Sequence, residues 1–334
     1  SKTSRQDGIG LHSARCARCD GKPKKHQIIM SAILGSLAPV FILIMLGYVI
    51  RSASRLKQTF WEKLEWLVYF LLFPSLIVHH LSRLSLIGTE FSNFALALLL
   101  STFLVSGLLL LAQRFMNVGG AAFTSIFMGS TRFNTYIGIA AAGSLYGETG
   151  LIIASVAIAV LVPQVNILSI LVLTKFTPKS KQKAHWYNKL VLIVSNPLIL
   201  ASGVGILLGI TSTPLPPVID RVIADLGAAS IPLGLMAVGA GLQFKTIYTS
   251  KTSLVWTAIF KLLAMPLVTA VICHIMNVDG MYAKIALLFA SLPSASTAYI
   301  LSRQLGGDAP LMAAIITATT LLAAATMPII LVIL

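Results

Sequence analysis

Two basic side chains lie deep within long apolar segments of the sequence. Arg132 stands in GSTRFNTYIG (residues 129–138), and Lys261 stands in TAIFKLLAMPLV. A charge at the middle of a membrane helix costs about 2.5–3.5 kcal/mol on insertion scales, so it needs a partner or a hydrated cavity. No acidic residue is expected at that depth, since Glu65 and Asp225 are predicted near helix ends. The two cations therefore predict an anionic ligand; alternatively, Arg132 bonds carbonyl groups of an interrupted helix.

The residues around Arg132 predict such an interruption. Ser130, Thr131, Asn134 and Thr135 are polar, and side chains of these types compete with the helix for backbone hydrogen bonds. A local break of the helix here would leave Arg132 beside a free helix end.

A second segment, SLPSASTAY (residues 291–299), carries a stronger signal for a break. Pro293 lacks a backbone donor and clashes with the preceding turn, and Ser294, Ser296 and Thr297 follow it. Asn134 and Ser294 are 160 residues apart and occupy equivalent places in the two segments. Two half-helix N-termini brought together would favour an anion through their free N–H groups and dipoles.

Three further polar side chains are weaker candidates for the same site. Lys261 could face the cavity or contact backbone carbonyls, and the sequence favours neither. Gln164 and Asn166 follow Pro163 and could bind a ligand or satisfy a kinked backbone. We keep all three as predicted ligand-binding or supporting residues.

These segments belong to a chain with the composition of a membrane protein. Of its 334 residues, 57% are hydrophobic and only 10% are charged, against about a quarter charged in soluble domains. Apolar runs of about 20 residues, long enough to cross a bilayer as helices, recur without the alternation of barrel strands. The sequence predicts ten helical spans, at residues 32–50, 64–82, 93–113, 119–145, 150–174, 188–211, 222–244, 252–275, 281–303 and 309–333.

Helix-breaking residues recur in order along the two halves. Pro39, Gly47 and Pro74 recur 158 residues later as Pro197, Gly205 and Pro232, while Gly120 and Gly147-Glu148 recur 160 later as Gly280 and Gly307-Asp308. The ordered matches predict a duplicated five-helix unit. Because five is odd, the second copy would cross the membrane in the opposite sense, as in the inverted repeats of secondary transporters.

The basic residues of the loops predict the orientation. With the N-terminus outside, inward loops hold thirteen Lys or Arg and outward loops hold three. The positive-inside rule therefore favours both termini outside, in a cell (plasma or inner) membrane. The net charge of +15 comes from short loops and the N-terminal segment rather than from one basic face, so we expect no nucleic acid partner.

The predicted organisation has four parts. Residues 1–29 are polar and basic and are expected to be a disordered leader before a natural start at Met30; the first repeat covers 30–174, a basic cytoplasmic linker 175–187 and the second repeat 188–334. The leader contains a set of residues that resembles zinc ligands in outline, namely His12, Cys16, Cys19 and His26. A disordered tail is the preferred interpretation, and we expect no metal and no cofactor.

Several segments share their pattern with a known family. They are APVFILIMLGYVIR, RFNTYIGIA, LVPQVNILSILVL, SNPLILASGVGILLGI, PLPPVIDRVIADLGAASIPLGLMAVGAGL and LPSASTAYILSRQLGGD. In these segments the chain, from residue 31 to 334, resembles the auxin efflux carrier family of membrane permeases, which includes bacterial members similar to malate and malonate permeases.

The resemblance implies an all-α polytopic fold of ten transmembrane helices in two inverted five-helix repeats, similar to sodium/proton antiporters. It implies a scaffold domain, a transport domain, and interrupted, crossing helices 4 and 9 that hold an organic anion. Among single residues it points to Asn134, to Pro293 with Ser294, and to Asn166. Plant members place a proline at the first crossing, whereas residues 131–135 contain none and offer Arg132, which suits a small carboxylate.

The predicted function is therefore secondary transport of a small organic anion, such as malate, malonate or an auxin-like acid, by alternating access. A channel or sensor for organic anions is the alternative, and an intramembrane transferase is disfavoured because the loops are short and poor in acids. Since no buried carboxylate is visible, we predict sodium coupling or uncoupled transport rather than a carboxylate proton relay. The expected partners are the anion and the lipid bilayer, with a homodimer left open.

Overall fold

The computed structural model describes residues 25–53, 56–83, 89–177, 195–211, 213–249 and 251–333, and over these ranges the chain forms helices and turns without a strand. The α-helices are α1 (Lys25–Ala53), α2 (Gln58–Leu67), α3 (Phe73–Leu81), α4 (Thr89–Ala112), α5 (Gly120–Thr131), α6 (Thr135–Phe176), α7 (Pro197–Ile210), α8 (Pro217–Gly241), α9 (Lys251–Ala258), α10 (Met265–Ile275), α11 (Gly280–Ser291), α12 (Thr297–Leu305) and α13 (Ala309–Ile333). The predicted all-α class is confirmed.

The helices have the length and hydropathy of membrane spans. Within the described ranges, seven helical stretches can cross a bilayer, and two shorter apolar helices, α7 and α11, accompany them. The stretch Gly120–Phe176 has 57 residues, about 86 Å at 1.5 Å per residue, far more than one hydrocarbon core of about 30 Å. It is interrupted after Thr131 and again at Gly147, whose φ is 62°. The chain is therefore a multi-pass membrane protein.

Among the described helices, two predicted starts are six or seven residues too late. Helix α1 begins at Lys25 rather than at residue 32, inside the segment expected to be a disordered leader. The second helical stretch begins at Gln58 rather than at residue 64, because Glu62 and Lys63 are exposed on its first turns instead of ending a loop. Glu65 is consequently the eighth of the 24 residues in this stretch and not a terminal residue. Residues 188–194 of the predicted sixth span lie outside the described part of the chain; α7 begins at Pro197, where the side chain of Asn196 accepts the N–H of Leu198 at 2.9 Å.

Two spans contain a widened π-helical segment that ends two residues before a proline. Residues Val68–Leu72 join α2 to α3 ahead of Pro74, and Ile259–Ala264 join α9 to α10 ahead of Pro266. A proline ring clashes with the carbonyl four residues earlier, and local widening of the helix relieves that clash. Lys261 lies in the second of these segments.

Glycines allow α1 and α8 to pack closely. A Cβ added at Gly47 would collide with the carbonyl oxygen of Met236, and one added at Gly239 would collide with that of Ile44. Small residues at such contacts are typical of membrane helix pairs, because no water-driven force holds these helices together. The largest apolar core extends from this pair across α3, α6 and α11.

Several predictions fall outside the described part of the chain. His12, Cys16 and Cys19 precede residue 25, the side chain of His26 is not described, and the linker is described only up to residue 177. Within the described ranges no group of three His, Cys, Asp or Glu side chains could hold a metal ion. The division into leader, two repeats and linker stays a prediction.

Candidate functional site

Both predicted interruptions are present. Helix α5 ends at Thr131, three residues follow, and α6 begins at Thr135. Helix α11 ends at Ser291, and α12 begins at Thr297. The first break contains neither proline nor glycine; instead Asn134 caps α6, its side-chain oxygen accepting the N–H groups of Tyr136 at 3.1 Å and Ile137 at 3.2 Å. An asparagine cap stabilises a new helix start by about 1 kcal/mol.

The two interruptions are bonded to each other. The backbone N–H of Asn134 donates to the carbonyl of Pro293 at 2.9 Å, and the hydroxyl of Ser294 donates to the carbonyl of Gly129 at 2.6 Å. The backbone N–H of Ser294 donates to the hydroxyl of Thr319 at 3.2 Å. These contacts satisfy backbone groups that the breaks release inside the membrane region. Asn134, Pro293 and Ser294 thus hold the two interruptions together.

Arg132 is buried at this junction, with 8% of its surface exposed. Its Nη1 donates to Asn166 Oδ1 at 2.6 Å and its Nη2 donates to Thr297 Oγ1 at 3.3 Å. Both partners are neutral side-chain oxygens, whereas the alternative from the sequence was backbone carbonyls. None of the ion pairs among the described residues includes Arg132. Its positive charge therefore has hydrogen-bond partners but no described counter-ion.

A small cavity adjoins the guanidinium of Arg132. Its walls come from α6, α7, the second span and both interruptions, namely Tyr69, Arg132, Phe133, Thr135, Val162, Val165, Asn196, Leu198, Ala295 and Thr297. Thr135 and Thr297 are the first residues of α6 and α12, so two helix N-termini open on it. The cavity volume is about 20 Å³, room for about one water molecule. A carboxylate could enter only if these walls moved apart.

Four buried donors on residues 130–136 have no hydrogen-bond partner among the described residues. They are the hydroxyl of Ser130, Nε of Arg132, Nδ2 of Asn134 and the hydroxyl of Tyr136. A buried donor left unpaired costs about 1–3 kcal/mol. An acceptor with several lone pairs, such as a carboxylate, could satisfy more than one of them at once.

The other predicted site residues are only partly brought together. Thr131 donates within its own helix, to Phe127, at 2.8 Å, and the hydroxyl of Ser130 is buried nearby. Gln164 points elsewhere, since its Nε2 donates to the carbonyl of Leu99 in α4 at 2.8 Å. Lys261 is buried, with 1% exposed, but it is not among the residues that line the cavity.

Sequence reasoning missed several residues at the junction. Tyr69 and Asn196 line the cavity and bond each other at 3.0 Å, and the hydroxyl of Tyr136 is buried without a partner among the described residues. The expectation that Glu65 lies near a helix end is wrong, and its carboxyl group reaches the second interruption. The hydroxyl of Ser296 lies 3.4 Å from Glu65 Oε1. Ser296 directly precedes Thr297, which accepts a hydrogen bond from Arg132. The spacing of Glu65 and Tyr69 by four residues, on one helix face, was the available signal.

A multi-pass helical protein with a buried cation at two bonded helix interruptions belongs to the class of membrane transporters. Comparison of the sequence with known families agrees with this assignment. The pattern of the family described as "Membrane transport protein" matches residues 32–331, so the chain belongs to that family, and the resemblance to auxin efflux carriers is confirmed.

A curated relative covers nearly the same length. It is the "Putative malonate transporter" of Rhizobium meliloti strain 1021, which is 27% identical over 308 residues, or 89% of this chain and 94% of the relative. The family and the relative point to transport rather than to an enzymatic reaction.

Proposed function

We propose that this protein is a secondary transporter that moves a small carboxylate across the membrane by alternating access. The observation that carries the proposal is the buried guanidinium of Arg132, which faces a cavity at two helix N-termini and has only neutral partners among the described residues. Guanidinium and carboxylate groups pair through two parallel hydrogen bonds. The Nε of Arg132 has no hydrogen-bond partner among the described residues and would be available for this pairing.

The proposed architecture is ten transmembrane helices in two inverted repeats, with both termini outside. Equivalent features 160 residues apart support it: α5 and α11 both have 12 residues, starting at Gly120 and Gly280. Three residues before each of these helices, Asn117 and Asn277 both have a left-handed backbone, with φ of 47° and 52°. The substrate site would then lie where the two copies meet.

The proposed substrate class is small di- or monocarboxylates, with malonate as the first candidate because of the relative's name. The cavity holds about one water molecule in this conformation, which fits a site closed between its outward-open and inward-open states. The candidate site residues are those predicted from the sequence except Gln164, which bonds α4, and Lys261, which does not line the cavity; we add Tyr69 and Asn196, which do line it. An auxin-like acid remains the second candidate.

A channel or sensor for organic anions is the alternative function. Saturable, substrate-specific uptake by proteoliposomes that contain the purified protein would distinguish a carrier from both. Uptake that rises linearly with substrate concentration would favour a channel instead.

The proposal predicts that Arg132→Ala abolishes carboxylate binding. A thermal-shift screen of malonate, malate, other small carboxylates and an aromatic acid should identify ligands that stabilise the unaltered protein, by about 2.7 kcal/mol at a hundred times Kd. Arg132→Ala should lose this stabilisation while remaining folded, because the cation that recognises the carboxylate is gone.

Arg114→Ala is the matched control, since Arg114 is an exposed arginine two residues after the end of α4. It should bind the same ligands as the unaltered protein. Equal malonate affinity of Arg132→Ala and the unaltered protein would disprove the assignment of the site.

A further inference from the structure

Glu65 places a carboxyl group beside the second helix interruption. It belongs to α2, in the stretch Gln58–Leu81 that can span the membrane, and its Oε1 lies 3.4 Å from the hydroxyl of Ser296. Ser296 directly precedes α12, and the next residue, Thr297, accepts a hydrogen bond from Arg132. Tyr69, four residues after Glu65, lines the cavity. The helix face that carries Glu65 therefore points toward the proposed substrate site.

Glu65 has no cationic partner among the described residues, since none of their ion pairs includes it. The charged or titratable groups that interact with it are Glu62 on its own helix and Tyr136 on α6. Helix α8 packs against α2, and the titratable residues of α8 all lie within its first nine positions, at Asp220, Arg221 and Asp225. Helix α12 carries two charged or titratable residues after Ser296, namely Tyr299 and Arg303.

In this environment, the charge state of Glu65 affects the binding of an anion at Arg132. A carboxylate substrate held at Arg132 would approach the carboxylate of Glu65 within the same low-dielectric junction, where like charges repel strongly. Protonation of Glu65 removes the repulsion, so anion and proton would bind together. Ionisable residues within membrane spans commonly serve as such proton sites.

The surroundings of Glu65 suit a proton better than a metal cation. Its hydrogen-bond partner is one hydroxyl, that of Ser296. Two other oxygens of the interruption are already engaged, since the carbonyl of Pro293 accepts from Asn134 and the hydroxyl of Ser294 bonds both Gly129 and Thr319. A bound sodium ion would need several oxygen ligands at once, whereas a proton needs one carboxylate oxygen.

We propose that Glu65 is the coupling site of the transporter, and that one proton binds there with each carboxylate bound at Arg132. An O–H bond forms at Glu65 with a proton from water on the loading side, and it breaks when the proton leaves to water on the release side, with no change in oxidation state. Transport is then proton–anion symport. This inference rests on the proposed function and replaces the sequence-based expectation of sodium coupling or uncoupled transport.

Proteoliposomes loaded with the purified protein test this inference with malonate. A pH gradient of one unit, acidic outside, should drive about tenfold accumulation by the unaltered protein, since one coupled proton adds about 1.4 kcal/mol. Glu65→Gln keeps the shape and the polar contact but cannot release a proton. It should retain malonate counterflow and lose gradient-driven accumulation.

Glu62→Gln is the matched control, because Glu62 is an exposed carboxylate one turn away on the same helix. It should accumulate malonate as the unaltered protein does. Calorimetric titration in two buffers of different ionisation enthalpy provides a second measurement. It should show uptake of about one proton per malonate bound by the unaltered protein and by Glu62→Gln, and none by Glu65→Gln.

The results separate this inference from the proposed function. If the unaltered protein neither binds nor exchanges any carboxylate of the screen, the proposed function fails and the inference fails with it. If it exchanges malonate but no pH gradient drives accumulation, or a sodium gradient drives it instead, only the inference fails. The same holds if Glu65→Gln still accumulates malonate in response to a pH gradient.

Discussion

At the residue scale, the orientation of Arg132 depends on Asn166. The amide oxygen of Asn166 accepts Nη1 at 2.6 Å, and the hydroxyl of Thr297 accepts Nη2. The guanidinium is therefore held by two neutral groups from separate helices, which fix its direction without cancelling its charge. Such an arrangement leaves the charge available to a ligand, unlike a buried ion pair, in which the two charges satisfy each other.

We predict that Asn166→Asp abolishes malonate binding. The new carboxylate would lie within hydrogen-bond distance of Arg132 and would pair with it permanently, so that a substrate carboxylate would have to displace an internal one. The thermal stability of the ligand-free variant should be retained or increased. Calorimetry and thermal unfolding measure the two effects.

Gln164→Glu is the control for this change, because it introduces the same charge two residues away on a side chain that bonds α4 rather than Arg132. It should affect malonate binding far less than Asn166→Asp does. Unchanged malonate affinity in Asn166→Asp would show that Arg132 does not contact the substrate.

At the scale of elements, the contact between α1 and α8 requires two glycines. Gly47 and Gly239 face the carbonyl oxygens of Met236 and Ile44, with no room for a Cβ. Each helix contributes one glycine and one carbonyl oxygen to the contact, so the two backbones lie close together along one turn of each helix. The position of α8 influences the site, because Gly234 of the same helix lies against the ring of Tyr136.

We predict that Gly239→Ala destabilises the protein by roughly 1–3 kcal/mol, the usual cost of overpacking a tight contact. The clash is with backbone, which cannot rotate away as a side chain could. Thermal unfolding of the purified protein in detergent measures the change.

Gly35→Ala is the control, since Gly35 is an exposed glycine of α1 with no atom near its missing Cβ. It should be neutral or slightly stabilising, because alanine favours a helix by up to about 1 kcal/mol over glycine. Equal stability of Gly239→Ala and Gly35→Ala would contradict the close contact between α1 and α8.

At the scale of the whole molecule, the proposed inverted repeat fixes which loops share a side of the membrane. Positions 160 residues apart should lie on opposite faces, because each repeat has an odd number of spans. Gly119 and Asp279 form such a pair, and both are exposed directly before α5 and α11.

We predict that Asp279→Cys reacts with a membrane-impermeant maleimide added outside intact cells, whereas Gly119→Cys reacts only after permeabilisation. The measurement needs a background in which Cys16, Cys19 and Cys273 are replaced. Labelling of both positions from the same side would rule out the inverted repeat. Labelling of Gly119→Cys alone from outside would keep the repeat and reverse the predicted orientation.

Much of the architecture was predictable because its causes are local. Apolar runs predicted the helical, membrane-spanning character, and the last helix was predicted at 309–333 and observed at Ala309–Ile333. The break at residues 132–134 followed from polar residues that compete for backbone hydrogen bonds. The error at α2 arose because Glu62 and Lys63 resemble a loop in composition, although glutamate and lysine are good helix formers.

By itself, the sequence determined the helical class, the membrane setting, the two interruptions and the burial of Arg132, since hydropathy and helix-breaking residues act over a few neighbouring positions. Only the tertiary structure decided which side chains form hydrogen bonds with Arg132 and Glu65. Arg132 and Asn166 are 34 residues apart, and Glu65 and Ser296 are 231 apart. Such contacts depend on how helices pack against one another, and a pattern along one helix cannot specify its neighbour across the bundle.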